Sequence, residues 1–170
     1  PDLEIDKSAG TLTLSSIIRT TNDWTYTAGT IAEGTSTVVF SLGGASTSAT
    51  ITGSMTFKNL TLNTTSNNVL TLTLASGATI LVNGTLTLDA TTGTTISLNG
   101  PGAISAKGDI TLTGDISDSG WGGTAVITIN GTVAQALTGT TNSGIAFNRL
   151  PAVVVNKSDT LTISNIIQPT

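Results

Sequence analysis

The feature that most constrains the fold of this chain is a recurring alternation of threonine with leucine or isoleucine. The word TLTL occurs at 11–14, 71–74 and 85–88, with TLT at 111–113 and TLTI at 160–163. Successive side chains of a β-strand point to opposite faces, so each word places its aliphatic residues on one side and its threonines on the other. These segments are predicted to be strands with an apolar inner face and a hydroxyl-bearing outer face.

Turn signals punctuate the stretches between these words. Asn-Gly pairs stand at 83–84, 99–100 and 130–131, and Gly-Gly and Pro-Gly pairs occur elsewhere in the chain. No segment sustains the 3.6-residue apolar period of an amphipathic helix. The sequence therefore predicts an all-β fold of short strands with no significant helix.

The two ends of the chain repeat one another. Residues 151–170 (PAVVVNKSDTLTISNIIQPT) align with residues 1–21 (PDLEIDKSAGTLTLSSIIRTT) when Gly10 is treated as one extra residue. Half of the aligned residues are identical, including both lysines and both Ile-Ile pairs, which are too rare here to match through composition alone. The ends of the chain are therefore predicted to be equivalent pieces of one repeating structure.

A second repetition lies inside the chain. Residues 34–53 resemble residues 122–139, and FKNLTLN (57–63) resembles LPAVVVN (150–156), so internal repeats span about 34–63 and 122–156. Such self-similarity favours a parallel β-solenoid, in which each strand stacks on its counterpart one coil later. We therefore predict a single solenoid module over 1–170. A β-sandwich or a pair of tandem immunoglobulin-like domains is the alternative.

Composition excludes several classes of function. Only 9% of the residues are charged, the net charge is −4, and the six basic residues are scattered singly, which argues against a nucleic-acid partner. No apolar run approaches the roughly 20 residues of a membrane helix, so no membrane insertion is expected. Cysteine and histidine are both missing, which removes thiolate metal sites and the commonest general base. We predict no cofactor, no catalytic residues and no enzymatic activity.

Several strings resemble a known group of proteins. GTSTVVF, ITGSMTFKNLTLN, ILVNGTLTL and GDITLTGDI are similar to the Thr/Gly/Asn-rich β-solenoid repeats of large bacterial and archaeal surface proteins, which include adhesins and filament or sheath subunits. The resemblance covers nearly the whole chain and rests on low-complexity words. It implies an extracellular or cell-surface location and a structural or adhesive role, and it carries no catalytic residues with it.

The densest acidic cluster is GDITLTGDISDSGW at 108–121. Asp109, Asp115 and Asp118 could together supply oxygen ligands to Ca²⁺ or serve as the acid pair of a carbohydrate-cleaving β-helix. Aspartate beside glycine and serine is also ordinary turn chemistry, and the spacing matches no calcium-loop motif. Turn formation is the favoured interpretation.

The rare large aromatic residues are candidates for contacts with ligands or neighbouring molecules. Trp24 and Tyr26 lie two apart on one strand and could form a platform on which a sugar stacks, and Trp121 stands in a related position of the second internal repeat. Core packing or an inter-subunit contact is the favoured alternative for these residues, because the chain has so few large apolar side chains.

Two further surface features follow from the abundance of threonine. Five Asn-x-Ser/Thr sequons, at Asn59, Asn63, Asn83, Asn130 and Asn156, are possible N-glycosylation sites. Ranks of outward threonines on a flat solenoid face could also order water and bind ice, although uneven intervals between the words count against it.

Neither end of the sequence has the charged cap that would close a solenoid. We therefore expect a structural repeat of an extracellular or cell-surface assembly that stacks head to tail, with residues 150–170 of one unit beside residues 1–24 of the next. An adhesin or carbohydrate-binding module is the alternative, and glycans are then the partner. Ice binding is less favoured, and a polysaccharide-cleaving enzyme is least favoured.

Overall fold

The chain folds as a parallel β-solenoid, which confirms the predicted fold class. The computed structural model describes residues 2–42, 48–64, 70–89, 96–113, 121–139, 149–165 and 168–169, with the side chains of six residues at the edges of these ranges left aside. All regular structure in these ranges is β-strand. None of the described residues belongs to a helix that could cross a membrane.

The strands form three parallel sheets, which the chain visits in the order sheet 1, sheet 2, sheet 3 during each turn, here called a coil. Sheet 1 contains β1 (Leu3–Thr13), β3 (Trp24–Ala32), β5 (Ser48–Thr52), β8 (Leu70–Leu74), β11 (Ile96–Asn99) and β14 (Trp121–Gly122). Sheet 2 contains β6 (Met55–Phe57), β9 (Thr79–Val82), β12 (Ala103–Ala106), β15 (Val126–Ile129) and β18 (Ala152–Val155). Sheet 3 contains β2 (Ile17–Thr20), β4 (Thr37–Leu42), β7 (Asn59–Thr64), β10 (Leu86–Asp89), β13 (Ile110–Thr113), β16 (Gln135–Thr138) and β19 (Leu161–Ser164).

Two short strands extend the side of the solenoid formed by sheet 1. Strand β17 (Arg149–Leu150) contacts β14 and pairs in parallel with β20 (Gln168–Pro169). In the described ranges, each of the five successive coils from β5 to β19 therefore has one strand on each of the three sides of the solenoid.

The first two coils are built differently, because β1 and β3 are long strands that run on past a corner. Leu3–Ile5 pairs with Trp24–Tyr26, and Thr11–Thr13 pairs with Thr30–Ala32 after an irregular stretch. Gly10, the extra residue of the first sequence copy, lies in that stretch with a φ of 76°. The second half of β3 contacts β6, so it takes the place of a sheet 2 strand.

Inward-facing residues stack in continuous apolar ladders along the axis. The longest ladder runs through sheet 3 and consists of Ile18, Val38, Leu60, Leu86, Ile110, Leu137 and Ile163. A second ladder in sheet 2 consists of Met55, Ile80, Ile104, Ile127 and Val153. Because each coil repeats the same inward positions, every coil adds its aliphatic side chains to one shared core.

Glycines allow close approach of the backbone at the corners between sheets 1 and 2. Gly100 and Gly123 have φ values of 106° and 124°, a conformation that other residues rarely adopt. A Cβ added to Gly100 would lie 2.1 Å from the Leu74 carbonyl oxygen, and one added to Gly123 would lie 2.1 Å from that of Leu98. Corners of successive coils can therefore nest only if these positions lack a side chain.

Candidate functional site

The last coil leaves its inner face uncovered. Val155 and Ile163 point inward in register with Ile129 and Leu137 of the preceding coil. Yet Val155 is 56% exposed and Ile163 is 57% exposed, whereas Ile129 and Leu137 are 1% and 3% exposed. We call the inward side chains of β18 and β19, which are Val153, Val155, Leu161 and Ile163, the open end. Isolated exposed aliphatics are common on proteins, but these four form one patch continuous with the core.

The first sequence copy presents the same series of inward residues with its inner face covered. Val155 and Ile163 align with Ile5 and Leu14, which are 6% and 5% exposed. The corner that follows also matches, because Ser16 has a φ of 58° and its counterpart Asn165 has a φ of 63°. Positive φ is uncommon outside glycine, so its occurrence at aligned positions indicates that the two copies turn the same corner after Leu14 and Ile163. The inward residues before that corner are covered in the first copy and exposed in the second.

The coil that follows the first copy provides its cover. Ile5 is in register with Tyr26, and the backbone N–H of Leu14 donates to the carbonyl of Ala32 at 2.8 Å. Trp24 and Phe40 of the same coil are among the largest fully buried side chains. In the described residues, the second copy has no such coil after it.

The opposite end of the solenoid carries a hollow instead of a projecting patch. A cavity of about 250 Å³ is lined by Leu3, Ile18 and Trp24 together with polar residues that include Asp2 and Arg19. The indole N–H of Trp24 is buried and has no hydrogen-bond partner in the described part of the chain. The two ends therefore differ in shape.

Trp24 belongs to the core. Its ring centroid lies 6.0 Å from that of Phe40 and 5.3 Å from that of Phe57, with the latter pair packed edge to face. The side chain is fully buried, so it presents no surface on which a sugar could stack. Tyr26 is half-buried against the core, and its hydroxyl donates to the Gly29 carbonyl at 2.5 Å. The backbone of Trp121 lies in β14, and its side chain is outside the described part of the chain.

The structure gives one aspartate of the acidic cluster a structural contact. Asp109 Oδ1 accepts a hydrogen bond of 2.8 Å from the backbone N–H of Ala136, one coil later. Asp115 and Asp118 lie outside the described residues. Within the residues that are described, no group of three or more carboxylates gathers to hold a metal ion.

Three of the five sequon asparagines use their amide nitrogen, the atom that would carry a glycan, as a hydrogen-bond donor. Asn63 Nδ2 donates to Asp89 at 2.7 Å, Asn83 Nδ2 donates to Glu33 at 2.8 Å, and Asn59 Nδ2 donates more weakly to the Ser36 carbonyl. The side chain of Asn130 accepts from Ser105. Asn156 is exposed, so it is the most accessible of the five sequon asparagines.

The outer face of sheet 3 carries two parallel columns of polar side chains. One column holds four threonines in register, Thr61, Thr87, Thr111 and Thr138. The neighbouring column is Ser41, Asn63, Asp89 and Thr113, whose side chains hydrogen-bond from rung to rung at 2.7–3.1 Å. The first column thus presents regularly spaced hydroxyls, whereas the second is engaged in holding successive coils together.

Comparisons of the chain with known protein families, curated proteins and solved structures found no match. The function is therefore inferred from the geometry of the ends and faces described above.

Proposed function

We propose that this chain is a structural repeat of an extracellular or cell-surface assembly, such as a filament, a sheath or a giant surface protein, whose units stack head to tail. The observation that carries this proposal is the open end, where a patch continuous with the core faces solvent at Val155 and Ile163. A solenoid end of this kind exposes apolar surface and unpaired strand edges, both of which a further coil would cover.

The outer surface supports a mechanical role. The described charged side chains are few, threonines face outward on sheet 3, and the coils are tied together by parallel backbone ladders and by the Ser41–Asn63–Asp89–Thr113 column. Because these ladders run along the axis, we expect them to resist extension. The extracellular location rests on the composition and on the resemblance to surface repeats.

The proposal is tested by the association of the 170-residue chain. Sedimentation velocity should show association that rises with concentration, and electron microscopy should show rods with a regular axial repeat. Val155→Lys and Ile163→Lys should each keep the chain monomeric with an unchanged circular dichroism spectrum, because stacking would bury an unpaired ammonium group.

Val154→Lys is the matched control. Val154 is exposed on the outer side of the same strand, in register with Thr128, so its substitution should leave association intact. A chain that stays monomeric at all concentrations and forms no rods would contradict the proposal, as would equal loss of association in Val154→Lys.

Ice binding is a second candidate, which the in-register threonine column on sheet 3 favours. Strand spacing places successive hydroxyls about 4.7–4.9 Å apart, a regularity that could order a layer of water. Thermal hysteresis should then be measurable in solution and be lost in Thr87→Lys. It should persist in Thr73→Lys, which alters the outer face of sheet 1 instead. No thermal hysteresis in the unaltered chain would remove this candidate.

A further inference from the structure

The two end copies of the repeated sequence lie on different sides of the solenoid. In the first copy, Leu3–Ile5 is in sheet 1 and Ile17–Thr20 is in sheet 3. In the second copy, the counterpart of Leu3–Ile5 is in β18 of sheet 2, and the counterpart of Leu12–Leu14 is in β19 of sheet 3. Its last strand, β20, pairs with β17 on the side of sheet 1. Each element of the second copy is therefore one side further along than in the first.

The internal repeat shows that one sequence word fits more than one side. FKNLTLN places Leu60 and Leu62 inward in sheet 3, and its counterpart LPAVVVN places Val153 and Val155 inward in sheet 2. The alternation of inward and outward residues is preserved while the sheet changes. The side on which a word lies is thus not decided by the word itself.

From these observations we propose that the open end is covered by the counterpart of residues 22–42 in a further copy of this sequence. Each strand of that copy lies one sheet further around the solenoid axis than the same strand of the first copy. The first copy supports this cover, because residues within 22–42 lie over Ile5 and Leu14 there. This inference rests on the proposed function, in that the neighbour is another copy of the repeat. The inference also makes the proposed function more specific, because residues 151–170 already occupy the place of residues 1–21 of that copy.

The rotated arrangement fixes which residues become neighbours. In the first copy Tyr26 is beside Ile5, and Ile31 is beside Leu12. The counterpart of Tyr26 should therefore lie beside Val155, and the counterpart of Ile31 beside Leu161. If the added coil instead kept the sides of the first copy, the second half of its β3 strand would lie on β18. The counterpart of Ile31 would then be beside Val153, because Ile31 and Met55 line one hollow and Met55 and Val153 belong to one ladder.

The experiment extends the full chain by appending residues 22–42 directly after Thr170. The chain contains no cysteine, so single-cysteine variants can be labelled specifically. At concentrations too low for association, Val155→Cys should react readily with a maleimide in the 170-residue chain. It should react at least about tenfold more slowly in the extended chain, where access requires local opening. Val154→Cys, on the outer side of the strand, should react equally in both. Equal labelling of Val155→Cys in both chains would overturn the proposed cover.

Disulfide formation tests the rotation. In the extended chain, Val155→Cys with the appended copy of Tyr26→Cys should close on oxidation, because adjacent parallel strands bring Cα atoms within the range a disulfide needs. Val153→Cys with the appended copy of Ile31→Cys should stay reduced, and closure of that pair would overturn the rotation. Leu161→Cys with the appended copy of Ile31→Cys is an independent pair for the same register.

The two proposals can fail separately. The labelling and disulfide measurements are made on dilute, monomeric chains, so they do not depend on association. Protection of Val155→Cys in a chain that never forms rods would leave the cover standing and contradict the assembly. Rods from the 170-residue chain, combined with an unprotected Val155→Cys in the extended chain, would support the assembly and contradict the proposed cover.

Discussion

At the scale of single residues, Trp24 shows how position in the coil decides the role of a side chain. Its strand pairs it with Leu3 on one side and Ile51 on the other, both of which belong to the same apolar cluster. The sequence places Trp24 and Tyr26 on one side of a strand. It does not say whether that side faces inward, because their neighbours are threonines that suit either environment.

Replacing Trp24 should strongly destabilise the fold. Trp24→Ala is expected to lower the free energy of unfolding by about 3–5 kcal/mol, since it empties a site packed against Phe40 and Phe57. Trp24→Phe should cost less, because it also removes a buried N–H that has no acceptor among the described residues. Urea denaturation followed by circular dichroism measures both values. A loss below about 0.5 kcal/mol for Trp24→Ala, as for a surface substitution, would place the indole outside the core.

At the scale of elements, the strands were predictable and their partners were not. The words TLTL at 71–74 and 85–88 are strands β8 and β10, as the alternation predicts. They nevertheless lie in different sheets, although their sequences are identical. Alternation reports which residues point inward, whereas the sheet depends on corner lengths that no residue type encodes. The alignment of 1–21 with 151–170 likewise predicts which residues of the two copies point inward, but it does not predict that those of the second copy are exposed at the open end.

The corner glycines provide a graded test of how closely the coils nest. Gly123→Ala should destabilise the chain by well over the roughly 1–2 kcal/mol of backbone strain at positive φ, because its Cβ would also meet the Leu98 carbonyl. Gly77→Ala should show the strain alone, since its φ is 77° and its Cβ would meet nothing within 4 Å. Gly122→Ala, which has neither constraint, should be nearly neutral.

Thermal unfolding of the three glycine variants measures the order of their stabilities. Equal stability of Gly123→Ala and Gly77→Ala would mean that successive corners have room to move apart.

At the scale of the whole molecule, the ladders make stability a property of neighbouring coils. A coil in the middle is covered on both sides, whereas β18 and β19 are covered on one. In such a linear stack, opening is expected to begin at the ends and to become harder toward the centre. The proposed contact at the open end would convert this end coil into a middle one.

Two substitutions compare the middle with the end. Ile104→Ala should lower the free energy of unfolding by about 2–5 kcal/mol, because Ile104 is buried between Ile80 and Ile127. Val155→Ala should cost less than about 1 kcal/mol in the 170-residue chain, since more than half of its surface is already in water. Chemical denaturation measures both, and similar losses would show that the end coil is as well covered as the centre.

The cluster of Trp24, Phe40 and Phe57 has a consequence for how the chain reaches its native state. These largest buried rings all belong to the first three coils, which leave the ribosome before the coils that stack on them. A folded nucleus is then available while the rest of the chain is still being made, and each later coil can add its short strands to an existing edge. We expect folding to proceed vectorially from the amino-terminal side, with synthesis and stacking running in the same direction.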